Sequence, residues 1–261
     1  MTLGNGTDGE TIAFNPNDGL LYHGSGNAGS ENVALESVNL RTGATNPIDI
    51  STSSIVLSET HALVYWPAQD RLLLGMLNER LYSVNFDGSR FFEGFIDIDA
   101  KGLAFVGDTL YGAKRRSKLF GSSPELFAID PGVPGVGSPP STVSHIDVVH
   151  QDPLKVITAL TGLATNPDTN ELWAVAKLDL IDPDTGEATG QQGRELVIVD
   201  PATGLAKSVG NTGLSLAGIA FVDESALVPE PSSLVLTILG LCGIATWRRR
   251  RGIRGGSPVI E

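Results

Sequence analysis

Cysteine is nearly absent from this chain: Cys242 is the single one in 261 residues. No disulfide can close within it and no cysteine cluster can hold a metal, so the fold must be held by packing alone. Charge is sparse at 18%, and basic residues are the scarcer kind, 18 Lys and Arg against 30 Asp and Glu. The asymmetry is stronger within the chain. Residues 1–228 carry 13 basic and 28 acidic groups, while residues 229–261 carry five arginines against Glu230 and Glu261. An acidic body with no basic stripe repels a phosphate backbone, which excludes nucleic acid as a partner and leaves cation binding or plain solubility as its use.

Histidine is also rare. His23, His61, His145 and His150 show no HxH or HExxH spacing, and His145 and His150, five apart on an expected strand, point to opposite faces, so no zinc site is expected. No GxSxG, P-loop or GxGxxG stands between a strand and a helix, which removes nucleophile-elbow and nucleotide chemistry. No catalytic residue, metal or cofactor is therefore assigned.

What is plentiful is turn chemistry. Gly and Pro together make 46 of the 261 residues, without a collagen-like period, and 41% of residues are hydrophobic. A block of alternating apolar residues, a turn and a second apolar block recurs. It reads IAFNPNDGLLYHG from Ile12, LVYWPAQDRLLLG from Leu63, LAFVGDTLYGA from Leu103 and LATNPDTNELWAV from Leu163, and IAFVD from Ile219 begins a fifth. The starts lie 40 to 60 residues apart, near the span of a four-stranded propeller blade. A second hairpin follows each first one, from Ala34, Arg80, Glu125 and Glu195, with Val38, Val84, Ile129 and Val199 each preceding Asn or Asp. Thr-Gly, Asp-Gly and Pro-Gly pairs turn the chain. Two hairpins per repeat predict four antiparallel strands. One such sheet cannot bury both faces alone, so neighbours must stack. Pro131–Pro140 and Leu178–Gly193 read as insertions.

The four copies resemble the blades of bacterial β-propellers of the NHL and YVTN kind over residues 11–223. The expectation is an all-β, β-propeller fold of about four blades. Propellers of that kind commonly close with six or seven blades, and the polar opening Met1–Glu10 lacks the basic and apolar zones of an export signal. Both point to a true start upstream of Met1, with residues 1–228 a partial propeller domain.

The one long apolar run is at the other end. Pro229-Glu230-Pro231 precedes an uncharged stretch from Leu234 to Trp247, and Arg248, Arg249, Arg250 and Arg251 follow. Pro231 suits a first helical turn. Fourteen residues at about 1.5 Å each span about 21 Å, a marginal transmembrane helix that flanking serines and snorkelling arginines extend. The arginines anchor the cytoplasmic side and put residues 1–228 across the membrane. Cys242 within the stretch reads as an apolar filler.

This segment resembles the PEP-CTERM sorting signal of exported bacterial proteins, with Pro229, Glu230 and Pro231 as sorting motif and Arg248–Arg251 as basic anchor. It occupies residues 229–251, and a tail of residues 252–261 extends past the point where the family usually ends. The resemblance implies an exosortase as sorting partner, a cell-envelope or extracellular-matrix destination, and exopolysaccharide or other envelope components as neighbours. The function expected is that of a non-enzymatic surface-binding or structural protein. The alternative is a calcium-dependent propeller hydrolase, lactonase-like or phytase-like. Asp179, Asp182, Asp184 and Glu187 resemble oxygen ligands but lack EF-hand order and read as a hairpin turn. The residues just before each repeat, Thr11, Ala62, Gly102, Gly162 and Gly218, offer the channel no carboxylate or imidazole. Lys114, Arg115, Arg116 and Lys118 form the only basic cluster outside the tail. Trp66, Trp173, Phe91, Phe92 and Phe95 are candidates for a sugar-binding groove, with core packing the simpler account of Trp173.

Overall fold

Each repeat folds as two hairpins that make one antiparallel sheet. The computed structural model describes residues 9–25, 35–50, 60–76, 79–96, 98–114, 123–132, 139–214 and 216–227. The first sheet contains β1 (Gly9–Asn15), β2 (Leu20–Ser25), β3 (Leu35–Asn39) and β4 (Thr45–Ile48), in that spatial order. The second contains β5 (Thr60–Trp66), β6 (Arg71–Met76), β7 (Arg80–Val84) and β8 (Arg90–Phe95). The third contains β9 (Ala100–Val106), β10 (Thr109–Lys114), β11 (Glu125–Asp130) and β12 (Ser141–Asp147). In the fourth, β14 (Lys155–Thr165), β15 (Leu172–Ile181), β16 (Ala188–Val199) and β17 (Leu205–Asn211) are joined by β13 (Val149–His150), which pairs in parallel with β17. The result is an all-β, four-blade propeller-like arrangement.

The repeat turns share one backbone device. Gly19, Asp70 and Asn170 each close a four-residue turn, and Gly107 opens the two-residue turn of the third sheet; all have positive φ, from 47° at Asp70 to 70° at Gly19. Gly, Asp and Asn tolerate this left-handed geometry best, which is why the turns read NDG, QD, GD and TN.

Three apolar layers hold the sheets face to face. Ala13, Tyr22 and Leu35 of the first sheet meet Leu63, Leu72, Leu74 and Tyr82 of the second. Leu73, Leu81 and Trp66 on the opposite face of the second meet Leu103, Leu110 and Ile129 of the third. Ala104, Ala113 and Leu126 of the third meet Leu163, Ala174, Val197 and Val199 of the fourth. The run Leu72-Leu73-Leu74 is fully buried because its sheet is covered on both faces, so it is continuous where a one-sided sheet would alternate.

The innermost strands approach closely because their facing residues are small. A Cβ added at Gly102 would lie 2.6 Å from the Leu163 backbone nitrogen, and one at Gly162 would lie 2.9 Å from the Ala217 carbonyl oxygen. Gly218 in turn approaches the Ile12 backbone nitrogen, at 3.0 Å for the same construction. The fifth repeat fragment thus lies between β14 and β1 as an inner segment, held by Thr161 Oγ1 donating to the Leu216 carbonyl at 3.0 Å.

Three local expectations change. His145 and His150 lie on separate strands, β12 and β13, because Val148 between them turns its side chain into the core. The stretch Leu178–Gly193 is mostly a lengthening of the β15–β16 hairpin, paired out to Ile181 opposite Ala188, with only its tip irregular. Trp66 is core, 6% exposed and stacked on Phe105 at 6.3 Å between ring centroids.

The chain divides into two units, Met1–Val222 and Asp223–Glu261. In the second, Glu224–Leu227 forms a single helical turn, α1. Among the described residues no helix is long and apolar enough to cross a membrane. Pro229, Glu230, Pro231, Cys242 and Arg248–Arg251 lie outside the described residues, as do Arg115, Arg116 and Lys118.

Candidate functional site

The inner strands β5 and β9 lie next to each other, and the residues at their starts include ionisable side chains in contact. Small residues pack the axis at Ala62 and Gly102, and one residue earlier the side chains change character. His61 precedes Ala62 and Lys101 precedes Gly102. His61 Nδ1 lies 2.6 Å from Asp99 Oδ1. The Lys101 ammonium lies 2.6 Å from the same His61 nitrogen and 3.2 Å from Asp99 Oδ2. One ring nitrogen serves one partner at a time, and the carboxylate is the acceptor that both His61 and Lys101 reach. Burial pushes the Asp99 carboxyl up, but the His61 hydrogen bond and the Lys101 charge outweigh it and hold the group below its usual value. The cluster lies one place before Ala62 and Gly102, the residues that precede the repeat starts. The signal was a His and a Lys at matching offsets.

Two further histidines are tied to carboxylates. His23 Nδ1 meets Glu36 Oε1 at 2.9 Å, with both residues buried on the face of the first sheet that is turned from the second. His150 Nε2 lies 3.3 Å from Glu195 Oε2, an ion-pair distance without hydrogen-bond alignment, while Lys155 donates to Glu195 Oε1 at 2.6 Å. Burial raises Glu195, yet hydrogen bonds from Lys155 and Ser208 prevail and leave it lowered. These contacts tie neighbouring strands together, and His23 Nε2, His150 Nε2 and Glu195 Oε2 remain buried without a hydrogen-bond partner.

The acidic run on the fourth sheet is spent on its own turn. Asp182 Oδ1 accepts from the backbone nitrogens of Asp184 at 2.8 Å and Thr185 at 3.3 Å. Asp184 and Glu187 are exposed at the hairpin tip, and Asp179 stands on β15 opposite Gln192. Beside this sheet a pocket of about 450 Å³ is lined by Asn170, Glu171, Ile198, Asp200 and Lys207 among others. Its Asp200 is lowered by hydrogen bonds from the Thr203 hydroxyl and the Ala202 and Thr203 backbone nitrogens, and so is already engaged.

Of the five candidate aromatics, three share one strand and two of these, Phe92 and Phe95, are in ring contact. Trp66 is interior, and Trp173 stands edge-on to Phe221 with centroids 5.4 Å apart. Phe91, Phe92 and Phe95 share β8, and each is about half exposed. Phe92 lies 5.3 Å from Tyr82 and 5.4 Å from Phe95. Arg71 sits over Phe91, Arg80 over Phe95 and Arg90 over Tyr82, at 5.6, 5.9 and 5.6 Å. Lys114 sits over Phe127 at 5.6 Å and 4.0 Å from Glu125, a contact at the ends of the two central strands of the third sheet.

No protein-family model matches the chain, and no curated protein matches it. Among solved structures it is similar to the beta-propeller domain of Cps50 (Swd1) from Myceliophteria thermophila, with a TM-score of 0.36 and 14% identity over 74% of this chain and 62% of that one. The chain therefore spans less than two thirds of that domain's length.

Proposed function

We propose that this chain is an exported, non-enzymatic propeller of the NHL or YVTN kind, displayed at the cell envelope as a binding or matrix component and sorted by its C-terminal segment. The observation that carries the non-enzymatic part is the packed axis. Gly102, Gly162 and Gly218 bring backbone against backbone where a substrate channel would need width. Beside Ala62 and Gly102, the side chains of His61, Asp99 and Lys101 bind one another. That arrangement argues against the hydrolase alternative, which needs convergent groups left open to substrate. What such a protein binds, it binds on its outside.

The sorting part rests on sequence. The Pro229-Glu230-Pro231 motif, the short apolar stretch and Arg248–Arg251 follow one another in the order an exosortase substrate requires. A helix over the stretch spans marginally, and each arginine resists the bilayer centre by about 2.5 to 3.5 kcal/mol. Exopolysaccharide and other envelope components are the neighbours such a destination supplies.

Fractionation in a host with an exosortase and a supplied signal peptide tests the reading. Replacing Arg248–Arg251 with Ser should release unprocessed protein. Replacing Pro229, Glu230 and Pro231 with Ala should trap full-length protein in the membrane. Identical fractionation of both variants and the parent would contradict it.

A further inference from the structure

Among the described residues, the fifth repeat fragment is an inner element that no strand pairs with. Gly218-Ile-Ala-Phe-Val222 repeats the pattern Gly102-Leu-Ala-Phe-Val106 of β9. β9 pairs with β10 and its Gly102, Leu103 and Ala104 are buried, whereas residues 216–222 are all half-buried. The fragment has the pattern of an inner strand without its ladder.

Three contacts hold it in place. Thr161 Oγ1 donates to the Leu216 carbonyl at 3.0 Å, Phe221 stands edge-on to Trp173 with centroids 5.4 Å apart, and the Gly162 backbone closely faces Gly218. An element without ladder hydrogen bonds and with half-exposed side chains belongs to the low-stability end of a fold. It opens before the core strands do.

The Pro229-Glu230-Pro231 motif follows soon after this segment. Phe221 precedes Pro229 by eight positions, so the motif lies within about 28 Å of the docked ring at full extension, ~3.4 Å per residue. The turn α1 shortens that reach, since helical residues rise only about 1.5 Å each. A folded unit of the propeller's length has a radius of gyration of about 17 Å, which leaves little chain clear of it. With the segment released, the last residue held in a strand is Asn211 at the end of β17, eighteen positions before Pro229, and the reach grows to about 60 Å.

We propose that docking of residues 216–222 gates the processing of this chain: docked, the segment holds Pro229, Glu230 and Pro231 too close to the propeller, and its release admits the enzyme. A membrane-embedded enzyme acting at the motif must share the intervening chain with the propeller, and a tether too short to span both allows one or the other. The proposal rests on the sorting reading above and adds the regulation of that site.

The test uses the full chain with a supplied signal peptide in a host with an exosortase, and follows loss of Arg248–Arg251 by pulse-chase and mass spectrometry. A Gly/Ser linker of about ten residues inserted between Leu227 and Val228 adds roughly 17 Å of mean reach and leaves the propeller untouched. It should speed maturation about fivefold or more. Phe221→Ser, which removes the ring contact with Trp173, should speed maturation of the parent chain but leave the linker-extended chain unchanged. A variant that acts by unfolding the propeller would speed both. Equal rates for the parent and the extended chain overturn the gate while the sorting reading stands, and so does equal acceleration of both by Phe221→Ser. Absence of maturation in all four chains overturns the sorting reading and the gate with it.

Discussion

His61 Nδ1 lies 2.6 Å from Asp99 Oδ1, and this contact ties the inner strand of the second sheet to the chain entering the third. Its partner Lys101 completes a joint between two blades at the rim of the packed axis. The lowered Asp99 carboxyl sets the sign of its pH dependence. A carboxylate held below its unfolded value of about 3.9 contributes stability that is present above that pH and lost as pH falls through the folded value. Lowered Glu195 acts in the same direction. Urea midpoints measured between about pH 6 and pH 3 should therefore fall toward acid. In Asp99→Asn the fall should be shallower. An unchanged acid limb in that variant would remove Asp99 from the account.

His23 and Glu36 make a different kind of joint, buried within one sheet. Removing His23 takes one hydrogen-bond partner from the buried Glu36 carboxyl, so His23→Leu should destabilise by about 1 to 3 kcal/mol. The double variant His23→Leu/Glu36→Leu should recover most of that loss, since replacing both partners with apolar groups is often neutral. Chemical denaturation of the two variants checks it, and equal losses in both would show that packing and not charge sets the cost.

The first two repeat turns predict an alkaline effect. Tyr65 OH donates to Asp70 Oδ1 at 2.8 Å and accepts from Asn17 Nδ2 at 2.7 Å. Burial, the hydrogen bond to Asp70 and nearby carboxylate charge push its phenol up to about 12. Burial and the bond to Asp18 push Tyr22 in the same direction. A phenol raised above its unfolded value of about 10 contributes stability that is present below that pH and lost as pH rises through the folded value. Tyrosinate absorbance at about pH 11 should therefore report fewer ionised phenols in the native chain than in urea. Equal titration curves would contradict the contact.

The repeats were legible because their constraints are local. The blocks from Ile12, Leu63, Leu103 and Leu163 became β1, β5, β9 and β14, and the turn residues fell where the left-handed slot requires them. What escaped was offset by a single residue or depended on pairing. His61 and Lys101 stand one place before the small residues that define each repeat start. The bulge at Glu93 exists only once β7 and β8 are in register, so no alternation count could put Phe92 and Phe95 on one face. Trp66, a groove candidate from the sequence, instead fills the layer between the second and third sheets with its ring. The parallel pairing of β13 with β17 joins segments far apart in sequence and leaves no local signature.

On the proposed function, the propeller is delivered outside the inner membrane and released from, or re-anchored beyond, its basic tail. Intact-mass measurement of the C-terminus, made on protein recovered from otherwise identical hosts with and without exosortase, tests it most directly. The account predicts a mature form lacking Arg248–Arg251 and ending near Pro229–Pro231 only where exosortase is present. The same intact C-terminus through Glu261 in both hosts would contradict it and make the segment an ordinary membrane anchor.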